Sequence, residues 1–130
     1  MVRFQANNVA VIDSDEKSIL VGFAEEREGQ VQEALIFQRE HEFDEQDVAH
    51  GWNQVYVERN DQIQSGYGGI EQVMLSPESV RVVLSGRTAE SIGDGEFEIG
   101  LSLTPEEFER LRHGLRVVFR GFGTLVERLT

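Results

Sequence analysis

The apolar residues of this chain fall in short runs or at every second position and are rich in Val, Ile, Leu and Phe, the patterning of β-strands. Phe97, Ile99, Leu101 and Leu103 alternate with Glu96, Glu98, Gly100 and Ser102, which predicts a half-buried strand of an antiparallel sheet with one wet face. Val80, Val82 and Leu84 repeat the pattern, and Ile70, Val73 and Leu75 mark a partner strand. Ser76-Pro77-Glu78-Ser79 between the two places proline second in a type I turn, so the pair reads as a hairpin. Ile19 to Phe23 and Ala34 to Phe37 are apolar on both alternations, which predicts central strands with a cover on the second face of the sheet. Phe4, then Val9 and Val11, predict an opening strand whose phase slips at Asn7 and Asn8.

The period changes after Leu103. Thr104 and Glu107 have the spacing of a capping box, and Pro105 falls at the first helical position, where its missing N–H costs nothing. Phe108, Leu111, Leu115, Val118, Phe119 and Phe122 then make one apolar stripe at helical spacing, while Arg110, Arg112, His113, Arg116 and Arg120 fall largely outside it. The spacing predicts a helix over about 105–120, ended or bent by Gly121 and Gly123, with 121–130 as a short tail or extra turn. The fold expected is α+β: one domain over residues 1–130, an antiparallel sheet of about six or seven strands, and the C-terminal helix packed on one face. No repeat, low-complexity tract or proline-rich linker interrupts it.

Charge narrows the function. The 130 residues carry 12 Lys and Arg against 24 Asp and Glu, a formal charge of −12, which disfavours direct binding to nucleic acid or to an anionic membrane. Residues 1–104 hold 7 basic and 20 acidic side chains, whereas residues 105–130 hold 5 and 4. The acids bunch at 13–16 (DSDE), 25–28 (EERE) and Glu40–Asp47, each between apolar stretches and hence expected on loops. Such loops keep a small domain soluble, or they steer a basic partner. The helix arginines are expected to pair within the protein or stay solvated. The absence of cysteine excludes disulfides, thiolate metal sites and cysteine nucleophiles. With no signal-peptide pattern at the start and no run near the ~18 apolar residues of a membrane span, a soluble cytoplasmic protein is expected.

Few motifs carry chemistry. His41, Glu42, Asp44, Asp47 and His50 are all possible metal ligands, but the two histidines are nine apart and the segment lacks the central Gly of a calcium loop, so no metal is expected. There is no nucleophile elbow. Gly66, Gly68 and Gly69 around Tyr67 suit a bulge or tight turn; as a phosphate cradle the stretch lacks the last fingerprint Gly, because Glu71 stands there, and a P-loop Lys. Trp52 and Tyr56 are candidate aromatic anchors of an interface, or core residues.

Residues 57–75, VERNDQIQSGYGGIEQVML, resemble the signature of the tenth immunity-protein family of bacterial polymorphic toxin systems. Asn60, Asp61, Gln62, Ser65, Gly66, Tyr67, Gly68, Gly69, Ile70 and Glu71 match it. The resemblance runs from about Phe4 to Phe119, through ILVGFA at 19–24, LIFQR at 35–39, DEQD at 44–47 and LTPEEFERLR at 103–112. It implies a non-enzymatic, cofactor-free protein that neutralises a cognate toxin by stoichiometric blockade, the toxin being of a class that includes nucleases with basic clefts; a homodimer is compatible with that role. The acidic segment Glu42, Asp44, Glu45 and Asp47, with Trp52, is the expected toxin contact. The rival reading is a small-molecule-binding or catalytic α+β domain that uses the glycine-rich turn around Tyr67.

Overall fold

The computed structural model describes residues 1–14 and 17–129. Asp15 and Glu16, half of the first acidic bunch, lie outside the described residues, as does Thr130. The chain runs β1 (Val2–Gln5), β2 (Asn8–Ser14), β3 (Ser18–Arg27), β4 (Gln30–Glu40), α1 (Glu45–His50), β5 (Tyr56–Arg59), β6 (Asp61–Tyr67), β7 (Ile70–Ser76), β8 (Ser79–Leu84), α2 (Gly86–Ile92), β9 (Glu96–Gly100), α3 (Pro105–Val118) and β10 (Leu125–Glu127).

The class is α+β as expected, but the strands form two five-stranded sheets rather than one of six or seven. The first has the order β1-β9-β8-β7-β10 and is mixed, because β1 lies parallel to β9 and β10 parallel to β7. The second, β2-β3-β4-β5-β6, is antiparallel throughout. The expected phase slip at Asn7 is the crossing between them. The Ala6 amide donates to the Gly100 carbonyl of the first sheet at 2.9 Å, and the next amide, Asn7, donates to the Ala24 carbonyl of the second at 3.1 Å. Alternation reports that a strand has a buried face and cannot report which sheet buries it.

The hairpin of β7 and β8 turns at Pro77 and Glu78 as expected, with Ser76 opposite Ser79. The capping box of α3 is formed: the Glu107 amide donates to Thr104 Oγ1 at 3.2 Å and the Thr104 amide to Glu107 Oε1 at 3.0 Å. The helix ends at Val118, and the expected tail is instead the strand β10. Glu127 holds β10 against α3, accepting from Arg112 Nε at 3.0 Å and from Arg116 Nη2 at 2.8 Å. Two of the helix arginines thus pair within the protein, and their hydrogen bonds, Arg116 first, keep the Glu127 carboxyl below the usual carboxylate range.

One apolar core joins the sheets and α3, with Phe23, Phe37, Phe97, Leu111 and Leu115 fully buried in it. Helix α3 lies across β2, β3 and β4, at the face of Val11 and Val21, where Gly114 lets the backbone come close. Phe119 meets Phe37 edge-on at 5.2 Å. Two arginines bind helix ends from the same side of the second sheet. Arg39 donates Nη1 to the carbonyls of Val118 and Arg120 at the end of α3, and Arg59 donates to that of Ile92 at the end of α2, where the helix dipole favours positive charge.

Candidate functional site

Both helices α2 and α3 and the first sheet lie on the inner side of the second sheet, so its other face is open among the described residues. This corrects the expectation that β3 and β4 are covered on both sides. The register puts Ile12, Leu20, Gln38, Tyr56 and Tyr67 in one row across the open face, with Ala10, Gly22, Ile36, Glu58 and Ser65 in the next. Leu20 and Ile36 are half-buried by their neighbours, and Ile12, on the edge strand, is 60% exposed.

At the β5–β6 end this face deepens into an open groove of about 540 Å³ between the strands and the segment 47–54. Its aromatic wall is Trp52, Tyr56 and Tyr67; Tyr67 lies 5.1 Å from Tyr56 and 6.4 Å from Trp52, and Trp52 stacks on His50 at 4.5 Å. Trp52 and Tyr67 are 44% and 48% exposed. Glu40, Asp47 and Glu58 supply carboxylates, and Gln38, Gln54 and Gln62 neutral polar groups. The Tyr56 hydroxyl donates to Glu58 Oε1 at 2.6 Å; burial first, and that hydrogen bond second, raise its pKa, so the phenol stays a neutral donor. Arg39 also borders the groove, but its guanidinium serves the end of α3 and packs over Phe43 at 4.6 Å and Phe122 at 5.4 Å.

The acidic segment expected as a loop is partly the helix α1, and two of its acids have structural work. Asp44 is the N-cap: the Asp47 amide donates to Asp44 Oδ1 at 2.8 Å and the Asp44 amide to Asp47 Oδ2 at 2.9 Å, a reciprocal box with aspartate in both roles. The Asp47 carbonyl then accepts from the Trp52 amide at 2.7 Å, which holds the backbone of residue 52 beside the groove. Asp47 and Trp52 line the groove, while Glu42, Asp44 and Glu45 stand exposed outside its lining. The second acidic bunch is only partly a loop, with Glu28 in the turn between β3 and β4. Glu25 and Glu26 lie on β3, with a bulge between them, and the Glu26 amide donates to the Asn7 side chain at 2.9 Å.

The motif at 60–71 is mostly an internal joint. Asn60 takes a positive φ of 63° at the β5–β6 turn, a conformation asparagine tolerates, and its Oδ1 accepts from the Ala34 amide at 2.8 Å. The Asp61 carboxylate accepts from the Ile63 amide, and Ser65 Oγ donates to the Gln62 carbonyl. At Gly66 and Gly69 the backbone closes on α2: a Cβ there would lie 2.8 Å and 2.7 Å from Thr88 Oγ1. Thr88 donates to the Gly68 carbonyl at 2.8 Å, and the Ser85 amide to that of Gly69 at 2.9 Å. The close approach that these glycines allow is therefore used by Thr88, a side chain of the protein itself. Ile70 packs on the core, and Glu71 accepts from Ser85 Oγ. Of the motif, Gln62 and Tyr67 line the groove.

Helix α2, which holds this joint, escaped the sequence reading. Its only apolar signals, Ala89 and Ile92, are too few to set a period. Tyr67 as an exposed wall was missed as well; its phase on β6 with Tyr56 on β5 depends on a register that a bulge shifts. Among the described residues no cluster of three or more metal-ligating side chains occurs. His41 instead meets Asp13 at 2.7 Å.

Among the described residues no helix is long and apolar enough to cross a membrane. No curated protein matches the chain. A family model does: Imm10, Immunity protein 10, over residues 5–109.

Proposed function

The chain belongs to the immunity protein 10 family, and on that premise we propose that it binds a cognate toxin one to one and neutralises it in the cytoplasm of the cell that makes it. Blockade needs no turnover and no cofactor. The observation that carries this reading is the family match across most of the chain; the surplus of acids over bases supports a partner with a basic surface, such as a nuclease domain with a cleft for phosphates. The contact is the surface formed by Glu42, Asp44, Glu45, Asp47 and Trp52.

Co-purification of the tagged protein from its own cells, at low and at moderate salt, tests this. The expected result is one near-stoichiometric partner ending in a basic toxin domain, bound less tightly as salt rises. Recovery of the protein alone, from cells shown to express such a neighbour, overturns it. The charge test of the contact uses Glu42→Lys and Glu45→Lys, because reversing Asp44 or Asp47 would break the cap of α1 as well. Unchanged affinity in that double variant assigns those two acids to solubility.

A further inference from the structure

The groove combines three features that together select a ligand chemistry. It has a wall of three aromatic rings, two of them close to half exposed. It carries three carboxylates, and among the described residues none of Glu40, Asp47 and Glu58 pairs with a cation. The one arginine beside it is committed elsewhere, to the carbonyls ending α3. Exposed rings are poorly hydrated on their faces and attract cations through the ring quadrupole, and unpaired carboxylates attract the same charge. A flat cation satisfies both, since a guanidinium stacks on one ring while its edge donates to a carboxylate, which a spherical ammonium does less well.

We propose that this groove receives an arginine side chain of the protein partner, stacked against Tyr67 and Trp52 and hydrogen-bonded to Glu58. The inference rests on the toxin-binding reading for the identity of the partner, and on the groove alone for the chemistry. The Tyr56 hydroxyl already engages Glu58 on Oε1, and Glu58 lines the groove, so its second carboxylate oxygen is the acceptor proposed for the guanidinium.

Trp52 is the only tryptophan in the chain, so its emission reports the groove directly. Titration of the full-length protein with a triarginine peptide is expected to change that emission saturably, and trilysine to bind several-fold more weakly. Tyr67→Ala and Glu58→Gln are each expected to weaken the arginine peptide about fivefold, a typical loss for one cation–ring or charge-assisted contact. Glu90→Gln on α2, an equal charge change elsewhere, should leave it as in the wild type. Equal responses to lysine and arginine, or losses in Glu90→Gln that match Glu58→Gln, overturn the proposal and leave general charge attraction. Toxin protection separates the two levels of inference. A recovered toxin that both groove variants inhibit at wild-type strength refutes the groove; a groove that binds triarginine in a protein with no toxin partner refutes the partner and upholds the chemistry.

Discussion

Replacing Gly66 by alanine asks whether the family motif is a joint or a contact. The new Cβ would meet Thr88 Oγ1 at 2.8 Å and Thr88 Cβ and Cγ2 at 3.3 Å. Thr88 is buried, and turning its hydroxyl away would give up the bond to the Gly68 carbonyl. Overpacking of this kind costs about 1–3 kcal/mol, and a chain of this length loses roughly 4 °C of Tm per kcal/mol. Thr88→Ala by itself removes one hydrogen bond, worth about 1 kcal/mol, and also clears the oxygen and methyl that the new Cβ would strike. The double variant should therefore be more stable than the sum of the singles implies, by on the order of 1 kcal/mol. Urea unfolding followed by both circular dichroism and Trp52 emission measures this, with an unchanged slope expected if only the native state is affected. Additive losses would refute the packing argument. A Gly66→Ala protein that melts like the wild type but no longer holds its partner would refute it more severely, because the glycine would then be present for the partner.

Three other outcomes follow from the same geometry. Phe37→Ala, which removes a fully buried ring between Phe23 and Phe119, should cost about 3–5 kcal/mol in denaturant unfolding. Arg39→Met keeps much of the buried stem but loses the donors to the Val118 and Arg120 carbonyls, about 1.5–3 kcal/mol by the same assay; a stable variant would mean that water replaces the guanidinium. Glu127 has a folded pKa below its unfolded one, so its contribution is present above the ordinary carboxylate pKa and fades as pH falls through the depressed value. Glu127→Gln should accordingly flatten the acid side of the stability–pH profile, and a profile that keeps its slope would remove Glu127 as a cause.

Wherever local geometry decides, the sequence was enough. The box at Thr104, the turn at Pro77 and the stripe of α3 depend on contacts within a few residues, and the apolar alternation of β8 and β9 has one meaning whatever lies beside it. The signature at 57–75 likewise pointed to the family without any coordinates. What alternation leaves open is the partner of each strand: it could not separate β1 from β2, nor reveal β10, whose three residues are fewer than a period needs. It also gave β3 and β4 two apolar faces without saying that one stays open, because burial belongs to pairs of elements. The groove is the sharpest case. Tyr56 and Tyr67 are eleven residues apart and become neighbours only through the register of β5 and β6, while Trp52 is held beside them by its amide, which donates to the carbonyl of Asp47 in the first turn of α1. Side-chain chemistry is written in the chain; which side chains share a cavity is decided by strand pairing, a long-range choice that no local pattern encodes.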